Sequence, residues 1–149
     1  MMNWKRNMQT KSQEKIVLDA WAVLALIFGE EPAAKAVRDA FVKKGTLKSS
    51  IHMSWINLGE VAYIVRRKKG SDAADAVLED IQLLPITLHE PSKSDILSAA
   101  KLKASHTLSY ADAFAVSLAQ KIHGTLFTGD PEIILLGETV KVQPLFRAR

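Results

Sequence analysis

Residues 15–29 run Lys15-Ile16-Val17-Leu18-Asp19-Ala20-Trp21-Ala22-Val23-Leu24-Ala25-Leu26-Ile27-Phe28-Gly29, and their reading decides the fold. The short β-branched apolar run Ile16-Val17-Leu18 predicts a buried strand. Asp19 closes it, Ala20 to Phe28 is apolar and suits a helix, and Gly29 stops that helix.

Outward from this stretch the alternation continues. Glu31-Pro32 opens a second helix, with Ala33, Ala36, Val37, Ala40 and Phe41 at helical spacing and Lys43, Lys44 and Gly45 at its close. Ser49 to Met53 predicts a strand, and Ser54 caps a helix carrying Leu58, Val61, Ala62 and Val65. Another helix starts at Ser71 or Asp72 and ends before Pro85, ahead of a strand at Ile86-Thr87-Leu88. Pro91 and Ser92 lead a helix to about Ser105, and Ser109 caps one whose apolar face includes Phe114, Leu118 and Ile122. Thr125 to Thr128 predicts a strand, Gly129-Asp130-Pro131 a turn, Glu132 to Leu136 a short helix and Val140 to Val142 a last strand. Strands separated by helices imply parallel pairing, because parallel neighbours need crossovers and the crossovers cover the sheet. The fold class is α/β.

The length of 149 residues suits one domain, and 48% hydrophobic with 24% charged residues excludes a disordered chain. With no cysteine, disulfides, thiolate zinc sites and cysteine nucleophiles are excluded, and a cytoplasmic location is expected. The apolar stretch from Ile16 to Phe28 is too short to span a bilayer and follows a polar segment unlike a signal peptide, so no membrane association is expected. The net charge is +4, but Lys5, Arg6, Lys11 and Lys15 against Glu14 concentrate most of it at the start. Residues 1–14 therefore read as a flexible extension and residues 15–149 as the domain. Arg66-Arg67-Lys68-Lys69 before Gly70 suits either a helix end that complements the helix dipole or a phosphate-contacting patch.

No Gly-x-Ser-x-Gly, P-loop, Gly-x-Gly-x-x-Gly or His-Glu-x-x-His motif occurs, which removes support for serine hydrolysis and nucleotide cofactors. The four histidines are scattered, and His106 and His123 read as polar surface residues near helix ends. Four acids stand out instead. Asp19 follows the first strand, at the edge where open α/β sheets bind ligands, although it also suits a helix cap. Glu60 lies in Asn57-Leu58-Gly59-Glu60-Val61 with no base three or four residues away, so it is either gathered into a site or solvated. Asp112 lies in Ser109-Tyr110-Ala111-Asp112-Ala113-Phe114, where Ser109 and Asp112 also match a capping box. Asp130 follows Thr128-Gly129 at a strand end and also suits a turn. Four clustered carboxylates need a counter-charge, which Mg2+ or Mn2+ supplies through oxygen ligands while acidifying a water beside a phosphodiester.

In their order, Val17-Leu18-Asp19, Asn57-Leu58-Gly59-Glu60-Val61, Ser109-Tyr110-Ala111-Asp112-Ala113-Phe114 and Thr128-Gly129-Asp130-Pro131 resemble the motifs of PIN-domain nucleases, above all VapC-type toxins of toxin-antitoxin pairs. The resemblance covers residues 15–149. It implies a five-stranded parallel sheet, Mg2+- or Mn2+-dependent endoribonuclease activity, frequent homodimers and a small antitoxin protein that blocks the site. Carried over by position, Asp19, Glu60, Asp112 and Asp130 would be the metal-binding acids, with Asn57, Ser109 and Thr128 in supporting roles. Trp21 stands where the toxins often have Ser or Thr, and suits a packed aromatic or a base-stacking one. Two rivals are weighed. A phosphoacceptor domain would place a second acid beside Asp19 and a Lys at a later strand end, and neither is present. A catalytically silent module of the same fold, binding RNA or protein, is the alternative.

Overall fold

The computed structural model describes residues 14–44 and 49–148. The expected extension lies outside the described residues except for Glu14, whose carboxylate accepts a 3.1 Å hydrogen bond from the Thr125 hydroxyl. Five strands form one sheet: β1 (Ile16–Leu18), β2 (Ile51–Ser54), β3 (Thr87–His89), β4 (Thr125–Thr128) and β5 (Val142–Pro144). Their order is β3-β2-β1-β4-β5 and every pairing is parallel. Among the described residues the helices are α1 (Ala20–Ile27), α2 (Ala33–Lys44), α3 (Trp55–Lys69), α4 (Ser71–Leu83), α5 (Lys93–Ser105), α6 (Tyr110–Ile122) and the short α7 (Pro131–Ile134).

The sheet is covered on both faces, which is why its central strand β1 is apolar throughout. Ile16, Leu18, Ile51 and Met53 point to one face and pack with α1 to α4, where Val23, Val37, Leu58, Val61 and Ile81 are buried. Val17 and Leu126 point to the other and pack with Val116 and Leu118 of α6, Ala99 of α5 and Ile133 of α7.

Local chemistry sets the helix starts. The Ser54 hydroxyl accepts from the Ile56 amide at 3.2 Å. Ser92 and Asp95 close a reciprocal capping box at α5, through bonds of 2.9 and 3.1 Å. The last strand lies two residues beyond its predicted position. Val140 is buried ahead of it, and Pro144 is accommodated because β5 is an edge strand with a side that needs no donor.

The histidines meet expectation only in part. His106 and His123 cap the ends of α5 and α6. His52 and His89 instead pair between β2 and β3, with His52 Nδ1 2.8 Å from His89 Nε2 and His52 Nε2 2.7 Å from the Ser49 carbonyl. Because a carbonyl only accepts, His52 Nε2 carries the proton and His89 Nε2 donates to His52 Nδ1. Burial lowers the pKa of both rings, which favours this neutral arrangement. No helix among the described residues is long and apolar enough to cross a membrane.

Candidate active site

Parallel pairing brings the carboxyl ends of β1, β2 and β4 to one edge, with β1 between the other two. Asp19 directly follows β1, Glu60 lies early on the helix that follows β2, and Asp130 lies just beyond β4. Helix α6 leads into β4, so its first turn, with Asp112, starts at the same edge.

The cap expected of Asp19 is present. Its Oδ1 accepts from the Ala22 amide at 2.8 Å and caps α1, whereas its Oδ2 is buried with no hydrogen-bond partner. The residue is 1% exposed. Burial pushes its carboxyl up to about 7, against the Thr128 hydroxyl and the Ala22 amide, and the charges of Asp130 and Glu60 add to the rise.

Asp112 is also buried, and its amide donates to the Ser109 hydroxyl at 3.1 Å. The predicted capping box forms only in this half. The carboxyl group meets that of Asp130, and burial followed by this contact pushes it up to about 8, with Asp19 adding to the effect and Ser109 opposing it. Glu60 is half-buried and also raised, first by burial and then by Asp130.

Asp130 is held from two sides: its amide donates to Thr128 Oγ1 at 3.0 Å, and its Oδ1 accepts from the Glu132 amide at 2.9 Å to cap α7. That turn brings in an acid the sequence reading passed over. Carboxylate oxygens of Asp112, Asp130 and Glu132 lie within 4.8 Å of one another. The available signal was the spacing Asp130-Pro131-Glu132, in which a capped first turn folds the second acid back beside the first.

The supporting residues differ in position. Thr128 is fully buried between Asp19 and the Asp130 turn. Asn57, also fully buried, donates through Nδ2 to the Ala111 carbonyl at 3.0 Å and thereby ties α3 to the first turn of α6. Arg66, Arg67, Lys68 and Lys69 are not brought into the cluster. They form the exposed last turn of α3, about 9–14 Å beyond Glu60 along the helix axis. Arg67 lies over the Tyr63 ring and Lys68 over the Phe28 ring, at 5.0 and 5.1 Å.

None of the ion pairs among the described residues involves Asp19, Glu60, Asp112, Asp130 or Glu132. An all-oxygen donor set, an orphaned buried Oδ2 and no internal cation fit a hard divalent ion such as Mg2+ or Mn2+.

Fold and site together define a doubly covered parallel α/β domain with a cluster of acids at its carboxyl edge. The chain belongs to the PIN-domain family, a family of nucleases, whose model matches residues 16–138. No curated protein sequence matches it. Among solved structures it is similar to the Mycobacterium tuberculosis toxin VapC20, described as cleaving the sarcin-ricin loop, with TM-score 0.69, 17% identity, and coverage of 83% of this chain and 95% of that one. The VapBC complex of Salmonella typhimurium bound to DNA gives TM-score 0.68 at 14% identity, covering 88% and 98%. VapBC2 of Rickettsia felis bound to a promoter DNA fragment gives 0.66 at 17%, also covering 88% and 98%. At these identities the likeness is one of fold, and the fold is that of VapC toxins.

Proposed function

We propose that the protein is a Mg2+- or Mn2+-dependent endoribonuclease and the toxin of a toxin-antitoxin pair. The observation that carries this reading is the acidic cluster itself: five carboxyl groups at the carboxyl edge of the sheet, with burial and mutual repulsion raising three of them and none in an ion pair among the described residues. Asp112, Asp130 and Glu132 would hold the ion, with Asp19 Oδ2 and Glu60 facing it from β1 and α3. When bound, such an ion acidifies a water and neutralises charge on the phosphodiester and its leaving oxygen.

The chain's own residues supply the rest. Burial raises the carboxyls of Asp19 and Asp112 toward neutral pH, and a bound cation would favour their ionised forms. Thr128 and the α7 cap fix Asp130, and Asn57 fixes the α3 and α6 limbs against each other. Arg66, Arg67, Lys68 and Lys69 would contact the phosphates of a longer RNA and add affinity without reading its sequence.

Two structures of the same fold are VapBC complexes, which supports a protein antitoxin as partner, and the excess of carboxylates here suits a cationic side chain on that partner. Exposed Trp55, Ile56, Tyr63 and Tyr110 lie on α3 and α6 near Glu60 and Asp112 and support self-association there. The test is cleavage of end-labelled RNA with Mn2+ and with chelator, by the native protein and by Asp112→Asn. Cleavage in Mn2+ that is lost in both chelator and variant is the expected result. Binding of RNA without cleavage in any condition would favour the silent module instead.

A further inference from the structure

Trp21 and Gly129 occupy each other's space at the rim of the acidic pocket. Trp21 is the second residue of α1, two after Asp19, and Gly129 lies between Thr128 and Asp130. A Cβ on Gly129 would overlap Cζ2, Cε2 and Cη2 of the Trp21 indole. Gly129 does not have a left-handed backbone, so glycine stands there for space and not for conformation. The indole therefore rests directly on the backbone that leads into Asp130.

Trp21 is itself held down. The Arg147 guanidinium carbon lies 5.2 Å from the centroid of its ring, within cation–π range. Arg147 is oriented by Glu30, whose two carboxylate oxygens lie 3.1 and 3.3 Å from Nη1. The backbone around it is pinned as well: Arg147 bridges Pro32, the Ala148 amide donates to the Glu31 carbonyl at 2.8 Å, and the buried Leu145 donates to the Thr128 carbonyl at 2.8 Å. Residues 145–148 thus cross from the end of β5 to the α1–α2 connection and press a cation onto the indole that seats Gly129.

From this stack we infer that Trp21, clamped by Arg147, is a positioning residue for the Asp130–Glu132 limb of the pocket, acting through Gly129 and touching neither substrate nor ion. The inference rests on the reading of the acids as a cation site. Its mechanism does not: the limb's two local bonds, Asp130 amide to Thr128 Oγ1 and Glu132 amide to Asp130 Oδ1, can be followed in the metal-free protein. Groups that orient metal ligands typically change metal affinity by roughly 10–100-fold when removed.

The experiment measures amide hydrogen exchange by NMR in the metal-free protein and Mn2+ affinity by calorimetry, for native, Trp21→Ala, Trp21→Phe and Arg147→Ala chains. Trp21→Ala should speed exchange at the Asp130 and Glu132 amides and weaken Mn2+ binding by about tenfold, at the lower end of that range. Trp21→Phe should restore most of both, and Arg147→Ala should cost roughly two- to fivefold, as a partly exposed cation–π contact does. The Asp112 amide, on the opposite limb, should not change. Gly129→Ala should lower the melting temperature of the native chain and have little effect in the Trp21→Ala chain. Unchanged exchange at Asp130 and Glu132, or equal acceleration at Asp112, overturns the positioning role. Accelerated exchange at the limb in a protein whose native form binds no Mn2+ overturns the cation site, and the purpose assigned to Trp21 with it.

Discussion

Replacing Asp19 by Asn should stabilise the metal-free protein, although it alters a central residue of the pocket. Asn keeps a carbonyl oxygen for the Ala22 amide, and Asn caps helices about as well as Asp, so α1 loses nothing. What disappears is the cost of an ionised, fully buried carboxylate whose Oδ2 has no partner. The folded carboxyl titrates at about 7 against an ordinary aspartate value of 3.8. A difference of about three pH units corresponds to about 4 kcal/mol between the two protonation states. The sign follows from proton linkage. A raised folded pKa favours the native state fully only below 3.8, and that contribution is lost progressively as pH rises through 7.

Asn, which never ionises, should therefore outdo Asp by up to about 4 kcal/mol above pH 7, by about 2 at pH 5, and by almost nothing below the ordinary value. For a domain of this size about 1 kcal/mol moves the melting temperature by roughly 2–4 °C, so the ceiling is roughly 8–16 °C. Circular-dichroism melts in chelator at pH 5 and pH 8 are the assay. A variant that melts at or below the native protein at pH 8, or that gains equally at both pH values, would refute the reasoning. Saturating Mn2+ should close the gap from the native side, because a ligand bound only by the folded state stabilises it.

Mn2+ affinity should rise with pH through 7 and level off only above about 8, since Asp19 and Asp112 must each lose a proton to admit the ion. Calorimetry in two buffers of different ionisation enthalpy counts the protons released, and a count of zero at pH 7 would contradict the raised values. Changing Arg66 and Arg67 together to Gln should weaken RNA binding and reduce the slope of log affinity against log salt by roughly 1 to 2. An unchanged slope would leave the run as a helix end that complements the α3 dipole.

The sequence was most legible where local chemistry decides the outcome. The Asp19 cap and the serine starts at Ser54, Ser92 and Ser109 all follow from interactions within four residues, and the Ile16–Leu18 strand shows as an unbroken apolar run. Glu60 and Asp112 stand out as acids with no base at helical spacing, Asp19 and Asp130 as acids that follow strands, and the fold draws all four to one edge. Distance along the chain hid the rest. His52 and His89 meet only because β2 and β3 are neighbours, and Trp21 depends on Gly129 and Arg147, which no local pattern joins to it. Glu132 was obscured by its helix-start position, which explains an acid there without any site. Val140 read as the start of a strand because it is apolar, but it is buried in the approach to β5.

The sheet order also governs the time course of folding. Ile16 pairs with Ile51 on one side and with Thr125 on the other, so β1 is enclosed only after the last third of the chain has docked beside it. Long-range parallel pairing of this kind forms late, because loop closure precedes any reward from the contact. Asp130 and Glu132 arrive with that docking, and a partly folded chain has not yet brought its acids together. A divalent ion should accordingly leave the refolding rate almost unchanged and slow unfolding, making the loaded protein long-lived and not quick to form.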